Sequence, residues 1–164
     1  MKVTIINTCG TFNKRYNPIK GQLEVPSDNI ALNKIIASCH NVDFEIKNIV
    51  SKDSLDITHK DRQELVNEIK NTNNKKIIII HGTDTIDLSA KFIKSKIINK
   101  KIIFTASMVP MSIDEVEATM NFSKALGFLS AKPKNGVYLA MHGVVIDEEK
   151  LKKDKRKGKF LITK

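Results

Sequence analysis

The sequence predicts an α/β fold, a three-layer αβα sandwich on a mostly parallel sheet, and three observations carry that prediction. Short β-branched runs recur along the chain, helical periods fall between them, and the runs are too uniformly apolar to leave one face in water. In order, residues 2–7 (KVTIIN) read as the first strand. Residues 28–38, with Ile30, Leu32, Ile35 and Ile36 on one face, read as a helix that Ser27 or Asp28 would cap. Residues 43–50 (DFEIKNIV) alternate more and suit a strand nearer an edge. Residues 58–70 form the second helix, with Leu65, Val66 and Ile69 inward, Thr58 as N-cap and Asp61 at N3. Residues 75–80 (KKIIII), 101–104 (KIIF) and 136–141 (GVYLAM) repeat the buried-strand form, separated by helical periods over 88–96, with Phe92 and Ile93, and over 113–129. Strands alternating with helices at this spacing call for βαβ units. The stretch 21–26 (GQLEVP) suits a mobile hairpin or lid, and the Lys-rich end reads as a docking arm or a frayed tail.

A chain of 164 residues, 41% hydrophobic and 28% charged with 7 Gly and 4 Pro, has the size and composition of one folded domain spanning residues 1–164. Its longest aliphatic run, Ile77 to Ile80, is far short of the ~20 residues that cross a bilayer, and the first ten residues lack a secretory core. A cytoplasmic protein without a membrane partner is expected. The formal charge of +10 invites a polyanion, but residues 150–164 carry eight Lys/Arg against Asp154 alone, leaving +3 for the other 149 residues. Basicity confined to one segment argues against a nucleic-acid partner. Cys9 and Cys39 form no CxxC pair, and His40, His59, His81 and His142 show no metal spacing, so neither a metal nor any other cofactor is expected.

Open parallel sheets hold ligands at the carboxyl ends of their strands, and small polar residues gather at those places here. Thr8, Cys9, Gly10 and Thr11 follow the first strand, Asp53, Ser54 and Asp56 the second, His81, Gly82, Thr83 and Asp84 the third, and Thr105 and Ser107 the fourth. Gly10 lets backbone approach a ligand closely, and Thr83 and Asp84 fall near a helix start whose spare N–H groups favour a carboxylate or an oxyanion. The chemistry this implies is acyl transfer, in which a threonine hydroxyl needs a base such as Lys or Tyr and donors for the oxyanion. The competing reading is structural, because Thr, Ser and Asp also cap helices and close turns. His81, after four isoleucines, reads as a packed, hydrogen-bonded histidine. No GxGxxG, GxxxxGK[ST] or GxSxG motif is present.

Thr8-Cys9-Gly10-Thr11 resembles the TGGT segment of the bacterial-type L-asparaginase family, Asp53-Ser54-Leu55-Asp56-Ile57-Thr58 its DSxDMT segment, and His81-Gly82-Thr83-Asp84-Thr85 matches HGTDT in full. Ala106-Ser107-Met108-Val109-Pro110 is similar to GAMRP, Asn121 to the Asn beyond it, and residues 135–147 to the strand that follows. The resemblance implies the fold of that family's N-terminal domain and a cofactor-free amidohydrolase that converts L-asparagine, or a close relative, to aspartate and ammonia. It further implies Thr11 as nucleophile with Tyr16 as activating partner, and a second constellation of Thr83, Asp84 and Lys153, with Lys152 one slip away. Asp84 would hold the α-amino group and Ser54 the α-carboxylate. Gly10 and Thr8 would shape the first loop, and Ser107 would present backbone to the substrate amide. Cys9, Leu55 and Val109 depart from the family's residues, and members of the family are about twice this length. A homodimer or higher homo-oligomer, built on the apolar faces of residues 58–96, is expected. The alternative is a non-catalytic descendant that binds an amino acid or a partner protein.

Overall fold

The computed structural model describes residues 1–163; Lys164, the last of the basic residues, lies outside the described residues. In chain order the elements are β1 (Lys2–Cys9), the hairpin strands β2 (Arg15–Asn17) and β3 (Gln22–Glu24), α1 (Ile30–Ile36), β4 (Asp43–Lys52), α2 (His59–Asn71), β5 (Lys76–Ile80), α3 (Ile86–Lys94), β6 (Lys101–Thr105), α4 (Glu115–Ser130), β7 (Gly136–Met141), β8 (Val144–Asp147) and a last hairpin, β9 (Leu151–Asp154) with β10 (Lys159–Ile162). Six strands form the central sheet in the order β4, β1, β5, β6, β7, β8, all parallel except β8, which runs antiparallel to β7. The expected edge strand is at the edge.

The alternation within the isoleucine run divides the core. Ile77 and Ile79 point to the face covered by Leu65, Val66 and Ile69 of α2 and Ile86, Ala90 and Ile93 of α3. Ile78 and Ile80 point to the other, covered by Leu32 and Ile35 of α1 and Ala118, Phe122, Ala125 and Leu129 of α4. A strand so covered on both faces admits a polar side chain only where it finds a partner, as Thr105 Oγ1 does on the Ala140 carbonyl, which is why β5 and β6 read as nearly continuous apolar runs. The three expected layers are therefore present.

Local chemistry sets the helix ends. Thr58 and Asp61 form a reciprocal capping box, Thr58 Oγ1 accepting from the Asp61 N–H at 3.2 Å and Asp61 Oδ2 from the Thr58 N–H at 2.7 Å, an arrangement that stabilises a helix by about 1 kcal/mol. The first helix is shorter than its periodicity predicts. Asn29, not Ser27 or Asp28, occupies its N-cap position, while the Asp28 carboxylate accepts from the Ile30 N–H and is gripped by Arg15. The third helix begins at Ile86, two residues before the expected start, because Thr85 ends the preceding loop.

Two further expectations are corrected. The basic end is neither an arm nor frayed over the described residues: it folds back as the β9 and β10 hairpin, with Leu151 and Phe160 buried in the α2/α3 side of the core. The apolar faces of α2 and α3 are covered by the sheet, leaving few large apolar groups outside, chiefly Leu88 at 56% exposure. Among the described residues no helix is long and apolar enough to cross a membrane.

Candidate active site

The strand order reverses beside β1. The chain leaves β1 for β4 on one side and leaves β5 for β6 on the other, so β1 and β5 flank the switch point at the carboxyl end of the sheet, where open α/β sheets hold their ligand crevice. Gly10, at φ 74°, ends β1, and Gly82 follows β5; a Cβ on Gly10 would lie 2.5 Å from Gly82 Cα, and one on Gly82 would lie 2.6 Å from Ser54 Cβ. Three loops thus touch through two glycines, and any side chain at either position would part them. Gly82→Ala should cost about 1–3 kcal/mol by overpacking, and a chemical-denaturation midpoint equal to wild type would show that the contact can yield.

This close approach organises the second loop around the third. Ser54 is buried; its Oγ accepts from the Asp84 N–H at 3.2 Å, and its carbonyl accepts from Thr85 Oγ1 at 2.7 Å. Asp53 caps the short turn that holds Ser54, accepting from the Leu55 N–H. Thr83 is buried beside Asp84 in the β5 to α3 loop. The last hairpin then brings Lys153 over this loop. Lys153 Nζ donates to Thr83 Oγ1 at 2.8 Å and to Asp84 Oδ1 at 2.8 Å, with its side chain 15% exposed. Lys152, on the neighbouring position, reaches instead toward Asp87 at 3.7 Å. A hydroxyl held between an ammonium and the rim of a crevice is placed to pass a proton, and a carboxylate beside it to receive a cationic ligand group.

The other residues singled out from the sequence lie as follows. Thr11 is half-buried and opens a single 3-10 turn directly after Gly10. Thr8 is buried, its Oγ1 donating to the Ile80 carbonyl at 2.8 Å and so joining the ends of β1 and β5. Ser107 follows β6, fully buried, with an Oγ that has no hydrogen-bond partner among the described residues. Tyr16 is on the β2 and β3 hairpin, 63% exposed, and among the described residues no hydrogen bond joins it to Thr11. That hairpin is tied to the site at its ends: Asn13 Nδ2 donates to the Pro26 and Asp28 carbonyls at 2.9 and 2.8 Å. His81 is packed as its position predicts. It is buried against Phe104, Nδ1 is 2.8 Å from the Gly82 carbonyl, and burial pushes its pKa down to about 4. A ring that stays neutral with one nitrogen so engaged serves the loop's shape rather than proton transfer.

A second polar group, on α4, was not legible in the sequence. Glu117, on α4, accepts from the Met108 N–H at 2.9 Å and the Val109 N–H at 3.0 Å, fixing the loop that carries Ser107, and its Oε1 is 3.0 Å from His142 Nε2. Asn121 donates to the Ala106 carbonyl and accepts from the His142 N–H, both at 2.9 Å. Only the spacing of Glu117 and Asn121, four residues apart on one helix face, could have pointed to a pair acting on the same loops. No group of three or more His, Cys, Asp or Glu side chains is placed to hold a metal ion among the described residues.

Comparison with known proteins agrees with this geometry. Residues 2–158 match the family model for the N-terminal domain of asparaginase. Among solved structures, the thermostable L-asparaginase from Thermococcus kodakarensis is similar over 99% of this chain and 51% of its own, with a TM-score of 0.85 at 22% identity. A probable cytoplasmic L-asparaginase from Campylobacter jejuni is similar over 92% of this chain and 48% of its own, with a TM-score of 0.78 at 19% identity. The chain thus spans about half the length of these neighbours, and none of the curated protein sequences matches it significantly. With the whole fold and the family match coinciding over nearly every residue, the chain belongs to the asparaginase family, in which it corresponds to the N-terminal domain.

Proposed function

We propose that the chain is an amidohydrolase that converts L-asparagine, or a closely related side-chain amide, to aspartate and ammonia. The observation that carries this reading is the grip of Lys153 on both Thr83 and Asp84 at 2.8 Å, in the loop whose HGTDT sequence resembles the family. Asp84 would hold the α-ammonium of the substrate and Ser54 its α-carboxylate. Thr11 Oγ would attack the amide carbon, with Tyr16 as its partner once the β2 and β3 hairpin folds over the bound substrate. The tetrahedral oxyanion would be met by backbone N–H donors at the carboxyl end of the sheet. As the C–N bond breaks, the proton from Thr11 passes to the leaving nitrogen, which departs as ammonia. A water molecule, oriented by Thr83 and Lys153, then attacks the acyl carbon; as the ester bond breaks its proton passes to Thr11 Oγ1, which restores the hydroxyl and releases aspartate. Self-association of copies and a cytoplasmic setting belong to the same reading.

The test is ammonia release from L-asparagine and L-glutamine, followed on wild type and Thr11→Val. Turnover is expected in the wild type, with a loss of at least ~10²-fold in the variant, as for a major catalytic group. Equal turnover in both proteins would remove Thr11 from the mechanism. Aspartate binding without ammonia from either amide would identify an amino-acid binder instead. Sedimentation of the same sample at micromolar concentration checks self-association, which a strict monomer contradicts.

A further inference from the structure

His142 stands where a glycine or asparagine would be easier to place. With Gly143 it makes the two-residue connection between Met141 and Val144, at φ 48° and 90°, the left-handed pair of a type I′ hairpin turn. A bulky side chain kept in that conformation invites the question of what the ring holds. It holds three elements together. Nε2 is 3.0 Å from Glu117 Oε1, Nδ1 accepts from the Phe160 N–H at 3.2 Å, and the ring meets Phe160 edge to face at 5.9 Å. Accepting at Nδ1 leaves the proton on Nε2, where Glu117 receives it, so each nitrogen has one suitable partner.

Phe160 is the residue opposite Lys153. The Thr163 N–H donates to the Lys150 carbonyl at 2.9 Å, so those two make a hydrogen-bonded pair. Alternation along the ladder then makes Lys153 and Phe160 a non-hydrogen-bonded pair. Two consequences follow from that parity: the Phe160 N–H points out of the hairpin toward His142, and the side chains of Lys153 and Phe160 lie together on one face. The β9 and β10 ladder is separate from the central sheet, and an isolated two-stranded hairpin is marginal in water. Its location therefore depends on what anchors it.

We propose that His142 is a positioning residue: it fixes the last hairpin where Lys153 reaches Thr83 and Asp84, and Glu117 sets the tautomer that makes this possible. The proposal rests on the reading of Lys153 as part of the reacting constellation. The same Glu117 carboxylate steadies the loop of Ser107, so the two walls of the crevice share one anchor.

Two substitutions separate the ring's nitrogens. In His142→Asn the amide oxygen takes the place of Nδ1 and keeps an acceptor for Phe160; in His142→Gln the amide reaches Glu117 and leaves Phe160 without one. Acylation of individual lysines by an amine-reactive ester, read by fragmentation mass spectrometry, reports the shielding of Lys153 without requiring turnover. His142→Gln is expected to acylate Lys153 several-fold faster, with Lys152 unchanged, and to lower kcat roughly tenfold or more with little change in KM. His142→Asn should return both readouts toward wild type. Unchanged Lys153 reactivity in His142→Gln, or an equal rise in His142→Asn, would overturn the proposal. A wild type that releases no ammonia overturns the amidohydrolase reading alone, because the acylation comparison still decides the positioning role.

Discussion

Lys153→Met is expected to cut turnover of L-asparagine by at least about 3 kcal/mol of transition-state stabilisation, roughly two orders of magnitude, while the protein stays folded. Methionine preserves the apolar stem and removes the donor. Thr83 Oγ1 then loses the group that orders its lone pairs, and Asp84 loses its facing cation, both of which Lys153 Nζ supplies at 2.8 Å. Thr83→Val should fall by a similar factor. The double variant should be little worse than either single one, because groups acting as a unit are strongly non-additive. Lys153→Arg should not restore the rate, since a planar guanidinium cannot take the place of the compact ammonium whose single nitrogen meets both Thr83 Oγ1 and Asp84 Oδ1 at 2.8 Å. Steady-state kinetics beside thermal unfolding monitored by circular dichroism check all four proteins. Near-wild-type turnover in a folded Lys153→Met would remove lysine from the mechanism.

Acidification from about pH 7 to pH 4 should remove roughly 3 kcal/mol of folding stability through His81 alone. Burial is the main reason its pKa falls from 6.5 to about 4, opposed by the bond to the Gly82 carbonyl, with Arg62 lowering it further and Asp87 raising it. Nδ1 is satisfied by that carbonyl, whereas Nε2 is buried with no partner among the described residues, so a second proton would have nowhere to donate. Between pH 6.5 and 4 the unfolded chain therefore binds the proton that the folded one refuses, and stability falls as pH falls through that window. Asp53 and Asp61 act at lower pH. Burial raises them, but the bond from Lys14 together with the Leu55 and Ser54 N–H groups for Asp53, and the bond from Lys52 together with both Thr58 donors for Asp61, jointly outweigh it and hold both below the usual carboxylate range. Urea unfolding at several pH values should show the loss in wild type and a flatter profile in His81→Gln, which keeps an amide donor and does not titrate. Parallel profiles for the two proteins would assign the acid sensitivity elsewhere.

The parts of the fold legible in the sequence were those written in local pattern. Ile77 to Ile80 announced a strand covered on both faces, and Thr58 with Asp61 announced a helix start, because both signals lie within a few residues. Residues 150–164 misled for the opposite reason. Each strand of the last hairpin commits one residue to the core, Leu151 and Phe160, and the lysines between them mask a pattern whose register depends on distant partners. The rim loops were legible as a group because strand ends collect at one edge. Lys153 was reached only through resemblance, since its 69-residue separation from Asp84 has no local trace. Glu117 and His142 were missed because residue type does not distinguish them, 25 residues separate the two, and their pairing exists only after α4 and the β7 to β8 turn have docked. Tyr16 marks the limit of the motif itself: the sequence supplies the residue, but hairpin placement decides where its hydroxyl lies.

The ladder of β9 and β10 is closed on itself and, among the described residues, joined to the body by side chains and the backbone donor of Phe160. Such a unit can open while the six-stranded sheet remains intact. Opening of that kind would make the molecule a mixture of docked and undocked forms, with any rate that needs Lys153 multiplied by the docked fraction. Heating would deplete that fraction below the temperature at which the domain melts, so the thermal ceiling of function and the thermal ceiling of the fold are set by different parts of the same chain.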